Sequence, residues 1–318
     1  MADTTSPALL ALSPANHAVG VPVDANLVLT FDEPVVRGTG ALFVFDAFGN
    51  PLFDMDLGIG VAVTALGSQI VVDPAIDLPG GIRIIVGSNA GIARDAAGNP
   101  SFPLPPYDFT TAPDPRSPYR YGTEGNDLFT PSATQQIFVG GPGIDTVQLD
   151  SARGSNAVAQ LRDRHTIANV AAGTRYELLN IERVQFPDAK LALDLAGHAG
   201  WVAMILGAVF GPASVGNAAY VGIGLGLADA GMTFEALAGY ALQARFGENP
   251  GSSALVQALY TNVVGAAPSA DALACYVGLL DSHQLTPVDL GMLAAQHPLN
   301  LANIDLVGLA DSGLVYGP

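Results

Sequence analysis

The chain has 318 residues, 49% of them hydrophobic and 13% charged, with 29 acidic against 12 basic side chains and a net charge of −17. That length allows two or three domains with sizeable cores, and that balance excludes a disordered chain. An acidic surface repels phosphate backbones, which argues against nucleic-acid binding, and it suits calcium as a counter-ion. Cys275 is the only cysteine, so no internal disulfide is possible. A chain with large cores does not need one.

The opening Met1-Ala-Asp-Thr-Thr-Ser-Pro7 has no basic n-region and no apolar h-region. No cleavable Sec leader is therefore expected, which leaves a cytoplasmic chain or one exported through a C-terminal signal. Residues 1–113 read as a β-sandwich. Ala25-Asn-Leu-Val-Leu-Thr-Phe31 alternates apolar and polar, and similar runs are 41–45, 69–72, 82–86 and 107–111. Turn clusters at Gly49-Asn-Pro51, Leu78-Pro-Gly-Gly81 and Ala97-Gly-Asn-Pro100 separate them. Short strands at this spacing indicate an immunoglobulin-like sandwich, without the Cys-Trp-Cys pattern of antibody domains. Asp32-Glu33 could place a calcium ion at one end of the sandwich; a solvated loop pair is the alternative.

The segment from Ser13 to Val35 resembles the opening of the bacterial Ig-like domain of surface-layer proteins and adhesins. Asp95-Ala-Ala-Gly-Asn-Pro100 with Phe109-Thr-Thr111 resembles its close. The resemblance implies a spacer or assembly module rather than an enzyme. The family often has a tyrosine after the Leu-Pro-Gly turn, where this chain has Ile82-Arg83, so a tyrosine-corner hydrogen bond is expected to be missing. Ala112-Pro-Asp-Pro-Arg-Ser-Pro118 reads as a fairly stiff linker, with three prolines in seven residues keeping it extended.

Gly122-Thr-Glu-Gly-Asn-Asp127 and Gly140-Gly-Pro-Gly-Ile-Asp145 each approximate the nonapeptide G-G-x-G-x-D-x-U-x of calcium-binding β-rolls. Asp127 and Asp145 lie two nonapeptide periods apart, so their turns should stack on one edge and one calcium ion could bridge them. The candidate ligands are Asp127 and Asp145, with Gly122, Glu124, Gly140 and Pro142 from the turns. Carboxylates and backbone carbonyls are the hard oxygens calcium prefers. The alternative is a pair of empty Asx turns. The period from Pro131 to Val139 has lost its glycines and aspartate, so the roll is degenerate. The resemblance is to the repeats-in-toxin family, which implies a bacterial protein exported by type I secretion. The stretch from Leu179 to Asp194 resembles the strand pair that follows such rolls, so 114–194 form a linker, roll and strand module.

From about 195 the pattern turns helical. Leu195 to Ala228 carries no charge. A bilayer span would be long enough here, but the glycines, Pro212 and the lack of a basic flank favour two buried helices joined at Gly211-Pro212. Ala208-Val-Phe-Gly211, Tyr220-Val-Gly222 and Asp229-Ala-Gly-Met-Thr233 are echoed by Asn262-Val-Val-Gly265, Tyr276-Val-Gly278 and Asp281-Ser-His-Gln-Leu-Thr286, so an internal helical repeat is expected. Thr286-Pro-Val-Asp289 reads as a helix start. Cys275-Tyr-Val-Gly-Leu-Leu280 resembles the core of a helical domain of unknown function, distantly like phycobilisome linkers, that closes type I-exported surface proteins. Cys275 is expected to be an inert core thiol. The apolar, acidic end from Asn303 is compatible with a type I signal.

The five histidines form no zinc-binding pair, and there is no G-x-S-x-G elbow or P-loop. Gly222-Ile-Gly-Leu-Gly226 suggests helix packing rather than a dinucleotide loop. His198 with Trp201 could face a ligand such as haem, or serve the core or a helix start. The expectation is a multidomain α+β chain: an Ig-like β-sandwich (1–113), a degenerate calcium roll (114–194) and an all-α helical repeat domain (195–318). Its expected function is that of a non-enzymatic, secreted, cell-surface structural protein. It would self-assemble head-to-tail into a surface layer or filament, with calcium as cofactor and the type I machinery as export partner. Cell-surface polysaccharide is a further possible partner, and no membrane span is expected. The alternatives are a monomeric adhesin, with an epitope near Phe48-Gly-Asn-Pro51, and a secreted enzyme with an unrecognised site.

Overall fold

The computed structural model describes residues 3–56, 63–74, 77–161 and 164–317, without the side chains of 53–56. It divides into two compact units, residues 1–119 and 120–318.

The first unit is built from two main sheets. One has the strand order Leu9–Ser13, Leu27–Phe31, Gln69–Val72, Val63–Leu66, all antiparallel. The other has the order Ala18–Val21, Tyr107–Thr111, Arg83–Ser88, Ala41–Asp46, Pro51–Asp56. Alternation sets the faces, because successive side chains of a strand point to opposite sides. Leu27, Leu29 and Phe31 are buried on one strand, and Leu42 and Val44, Ile84 and Val86, and Tyr107 and Phe109 on three others. The five strands read from sequence are present. The strands Leu9–Ser13, Ala18–Val21 and Pro51–Asp56 were not read: the first has no β-branched residue, the second is four residues long and interrupted by Gly20, and the third opens on proline and carries acids.

Two turns of this unit share the sequence Asp-Ala-x-Gly-Asn-Pro. Asp46 accepts from the Phe48 and Asn50 amides and from Asn50 Nδ2, and Asp95 accepts from the Asn99 amide and Nδ2. Gly49 and Gly98 supply the positive φ each turn requires. A threonine ties the corner of the sandwich. Buried Thr111 donates its hydroxyl to the Pro79 carbonyl at 2.6 Å and accepts from the Ile82 amide. The start of the expected linker is also tied down. The Ala112 amide donates to Val21 O, the Ala112 carbonyl accepts from Gly81, and a Cβ on Gly80 would meet Asp114 N at 2.6 Å.

The second unit opens with two five-stranded sheets. One runs Tyr119–Tyr121, Gln135–Val139, Thr174–Leu179, Arg164–Asn169, Ala157–Leu161; the other runs Leu128–Phe129, Thr146–Gln148, Arg183–Gln185, Lys190–Ala192, Leu314–Tyr316. Pairing is parallel between 135–139 and 174–179, and along 128–129, 146–148 and 183–185. Phe129, Phe138 and Tyr176 stack at 5.4 and 6.0 Å within the apolar cluster of these sheets.

Eight α-helices follow among the described residues: α1 (His198–Phe210), α2 (Ala218–Asp229), α3 (Phe234–Phe246), α4 (Ser252–Val264), α5 (Ala270–Asp281), α6 (Pro287–Gln296), α7 (Pro298–Asn303) and α8 (Leu306–Ser312). α1 is buried nearly all round, which explains why it carries no charge: a helix without a wet face has nowhere to place one. No helix among the described residues is long and apolar enough to cross a membrane. Thr286 caps α6 in a reciprocal capping box with Asp289, and Pro287 occupies the first turn. Gly224 packs closely on α1, where a Cβ would meet Val202 Cγ1 at 2.8 Å. Cys275 is exposed on α5 rather than in a core. That helix buries only Leu280, so the apolar character of its sequence does not translate into burial.

The strands to Asp194 and the helices after it belong to one compact unit, so no unit boundary falls at 194. Three features tie them together. Leu314–Tyr316 returns after eight helices to pair with Lys190–Ala192. Ala192 and Leu314 join the helical core. Arg183, almost wholly buried, leaves its strand to bind Asp229 at the end of α2 and Asp194 before α1.

Candidate metal-binding turns

The parallel pairing stacks three turns in register. Leu128 faces Thr146, and Thr146 faces Arg183. The residues preceding these three are Asp127, Asp145 and Glu182, so each turn ends in an acid. The bonding repeats from step to step. Asp145 Oδ1 accepts from the Asp127 amide at 2.8 Å, and Glu182 Oε2 accepts from the Asp145 amide at 2.8 Å. Asp127 O accepts from the Thr146 amide, and Asp145 O accepts from the Arg183 amide. At the start of the turns, the Gly122 amide donates to Val139 O and the Gly140 amide to Leu179 O.

Gly122 and Gly140 are required here by close approach. A Cβ on Gly122 would collide with Gly140 O and Asp127 Oδ2; one on Gly140 would collide with Asn180 O and Asp145 Oδ2. Each glycine therefore floors a small cradle in which a carboxylate oxygen and the carbonyl of the next turn converge. The two cradles differ in one respect. Asp127 Oδ2 already accepts from the Thr123 amide at 2.6 Å and from Thr123 Oγ1 at 3.0 Å. Asp145 is fully buried, and its Oδ2 has no hydrogen-bond partner. Glu124 and Pro142 are exposed at the rims.

Burial pushes the Asp145 carboxyl above its usual range, and the charge of Asp127 adds to the rise. Burial also pushes Glu182 up to about 7, assisted by the charges of Asp145 and Asp194. Desolvation penalises the charged form, and neighbouring acids add repulsion. Arg183 does not relieve this. Its guanidinium is committed to Asp229 at 2.6, 2.9 and 3.3 Å, to Asp194 at 2.5 Å and to the Glu182 carbonyl. His198 starts α1, with Nδ1 at 2.8 Å from Asp229 Oδ1 and its ring 5.0 Å from that of Trp201. It serves the helix start and this charge cluster.

The donor set of the cradles consists of oxygens alone, the chemistry calcium takes, and an orphaned buried carboxylate oxygen is the kind of atom a cation satisfies. The residues fit a hard cation. Glu182 and Asn180 were not read as site residues. Their turn lies 37 residues beyond Asp145, where a hairpin lengthens the second interval and hides the period. Asn180 takes the left-handed conformation (φ 48°) that asparagine tolerates.

In the first unit, Asp3, Glu33 and Asp95 bring carboxylate oxygens within 4.8 Å of one another. Asp32 stands outside this group and accepts from the Ala8 amide. Asp95 is already bonded to Asn99.

Residues 3–111 match the bacterial Ig-like domain family. No curated protein matches the chain. Among solved structures, CopC from Methylosinus trichosporium OB3b is 16% identical, covering 34% of this chain and 94% of its own, with a TM-score of 0.27. PcoC, a methionine-rich copper resistance protein from Escherichia coli, is 20% identical over 34% of this chain and 99% of its own, with a TM-score of 0.25. The N-terminal part of the bacterial S-layer protein SbsC is 14% identical over 54% of this chain and 32% of its own, with a TM-score of 0.24. None of these scores reaches 0.5, and nothing about ligand or assembly follows from them. The first unit, by sequence family and by its two packed sheets, carries a bacterial Ig-like domain.

Proposed function

We propose that this is a non-enzymatic, extracellular bacterial surface protein that self-assembles head-to-tail into a layer or filament, with calcium bound at its stacked turns. The observation that carries the reading is a bacterial Ig-like sandwich followed by in-register glycine–acid turns that bury an unpartnered carboxylate oxygen. Calcium would sit in the stack of turns that begin at Gly122 and Gly140, where Asp127, Asp145 and the carbonyls of Glu124 and Pro142 are the candidate ligands and Asp145 carries the unpartnered oxygen. Its charge would offset the buried Asp145 and the partly buried Asp127 and Glu182 beside it, and so stiffen the stack.

Export by type I secretion is part of the proposal. The strand Leu314–Tyr316 completes a sheet begun far earlier in the chain. That suits a chain that crosses as an unfolded polymer and folds outside, where calcium is plentiful. The helical region reads as a duplication. Gly211 and Gly265 end α1 and α4, Tyr220 and Tyr276 lie in α2 and α5, and Thr233 and Thr286 cap α3 and α6.

Self-assembly draws support from an apolar groove between α2 and α3. Val202, Phe210, Ile223 and Tyr240 line it, and Tyr220, Ile223 and Tyr240 are each about half exposed. Apolar surface of this kind marks contact sites, and a contact that does not close on itself propagates. Negative-stain electron microscopy of the purified chain, with calcium and then with chelator, tests the proposal. Ordered sheets or filaments that dissolve in chelator are expected. Dispersed particles in both conditions would remove self-assembly and favour a monomeric adhesin.

A further inference from the structure

The two cradles differ in how their carboxylates are satisfied, and that difference locates the ion. In the first turn Thr123 supplies two donors to Asp127 Oδ2, so that oxygen has its partners without a metal. In the second turn Asp145 Oδ2 is fully enclosed, faces the Asn180 carbonyl over Gly140, and receives no donor. A buried carboxylate oxygen without a partner carries its full desolvation cost. Two oxygens facing each other without a hydrogen between them repel. A cation removes both penalties at the second step and has less to gain at the first.

We infer that the chain's cation site lies between the second and third turns, on Asp145 Oδ2 and the Asn180 carbonyl, with Glu182 as the acid that positions Asp145 and adds charge. This rests on the calcium reading above but moves the ion one step along the stack, away from Asp127. Calcium is the cation the oxygens select: they are hard donors, and the carboxylate and the carbonyl come from separate turns, a set that tolerates flexible coordination better than magnesium's strict octahedron. Glu182 acts through Asp145. Its Oε2 fixes the Asp145 amide at 2.8 Å, and that in turn fixes where Oδ2 points.

The test is isothermal titration of calcium chloride into the full-length, chelator-stripped chain, with magnesium chloride as the comparison. Wild type, Asp127→Asn, Glu182→Gln and Asp145→Asn are compared. Glu182→Gln keeps an oxygen acceptor for the Asp145 amide and removes the charge. It is expected to weaken calcium affinity by about ten- to a hundred-fold, the range for residues that orient a ligand. Its calcium-free thermal midpoint is expected to be no lower than wild type. Asp127→Asn is expected to leave affinity within about three-fold, since its side chain bonds to neither oxygen of the second step and the substitution keeps the backbone amide that donates to Asp145 Oδ1. Asp145→Asn is expected to abolish the heat. If that variant fails to fold, Glu182→Gln and the calcium-induced rise in thermal midpoint decide alone. Loss of binding in Asp127→Asn with normal binding in Glu182→Gln would overturn the inference and place the ion at the first step, leaving the calcium reading intact. No calcium heat and no midpoint shift in wild type would overturn both.

Discussion

Replacing Arg183 by methionine should unfold the second unit at markedly lower temperature and leave the Ig-like domain untouched. Methionine keeps most of the stem volume, so the change removes charge and donors rather than packing. Arg183 is 3% exposed. Without it, Asp194 and Asp229 border the vacated site with the His198 imidazole, on Asp229 Oδ1, as the basic group left beside them. Breaking one side of a fully buried pair costs about 3–5 kcal/mol. Asp194 and Asp229 keep 15% and 26% of their side-chain exposure, so water screens part of the penalty and the lower end, about 3 kcal/mol, is expected. For a unit of about 200 residues that is a fall of roughly 6–12 °C in midpoint. Differential scanning calorimetry of the full chain measures it, with the first unit's transition as an internal reference. Adding Asp229→Asn to the variant should recover part of the loss, because it removes one of the two stranded charges. A shift below about 1 kcal/mol, with no recovery in the double variant, would refute the assignment of Arg183 as the tie between sheet and helices.

Glu182 predicts a pH dependence in calcium-free buffer. Its folded-state pKa, about 7, lies above the ordinary 4.5, so the folded chain holds the proton more tightly than the unfolded one. The contribution of this group to the second unit's stability is therefore fully present below about pH 4.5, declines as pH rises to about 7, and falls no further above that. Discounted for partial exposure, the decline is about 1–2 kcal/mol, and Glu182→Gln should flatten it in melts taken across that window. Phe109→Ala empties a fully buried position of the sandwich and should lower only the first unit's transition, by about 3–5 kcal/mol, in the same calorimetric trace. Cys275 should react with a thiol reagent in the native protein at the rate of an exposed cysteine; labelling only after denaturation would contradict its placement. Ile223→Glu, 56% exposed in the wild type, should abolish ordered assemblies in electron microscopy while moving the melting transition by less than about 0.5 kcal/mol.

Local pattern was enough wherever one residue's neighbours in sequence are also its neighbours in space. Alternation marks Leu27–Phe31 and Tyr107–Thr111 as half-buried strands, Thr286-Pro-Val-Asp289 carries its own capping box, and the glycine and aspartate spacing of Gly122–Asp127 and Gly140–Asp145 matches two turns of one stack. The third turn is different. Asn180 and Glu182 share a ladder with Asp145 only because Gln135–Val139 pairs with Thr174–Leu179 across an inserted hairpin, and a repeat interrupted by an insertion loses its period. Tertiary structure alone also set the environment of Cys275, since an apolar helix looks the same in sequence whether one face or none is covered. It likewise brought Leu314–Tyr316 back to Lys190–Ala192 and joined Arg183 to Asp229, merging strands and helices into one unit. Pairings of such separation are fixed by the burial of whole surfaces, which no short window of sequence encodes.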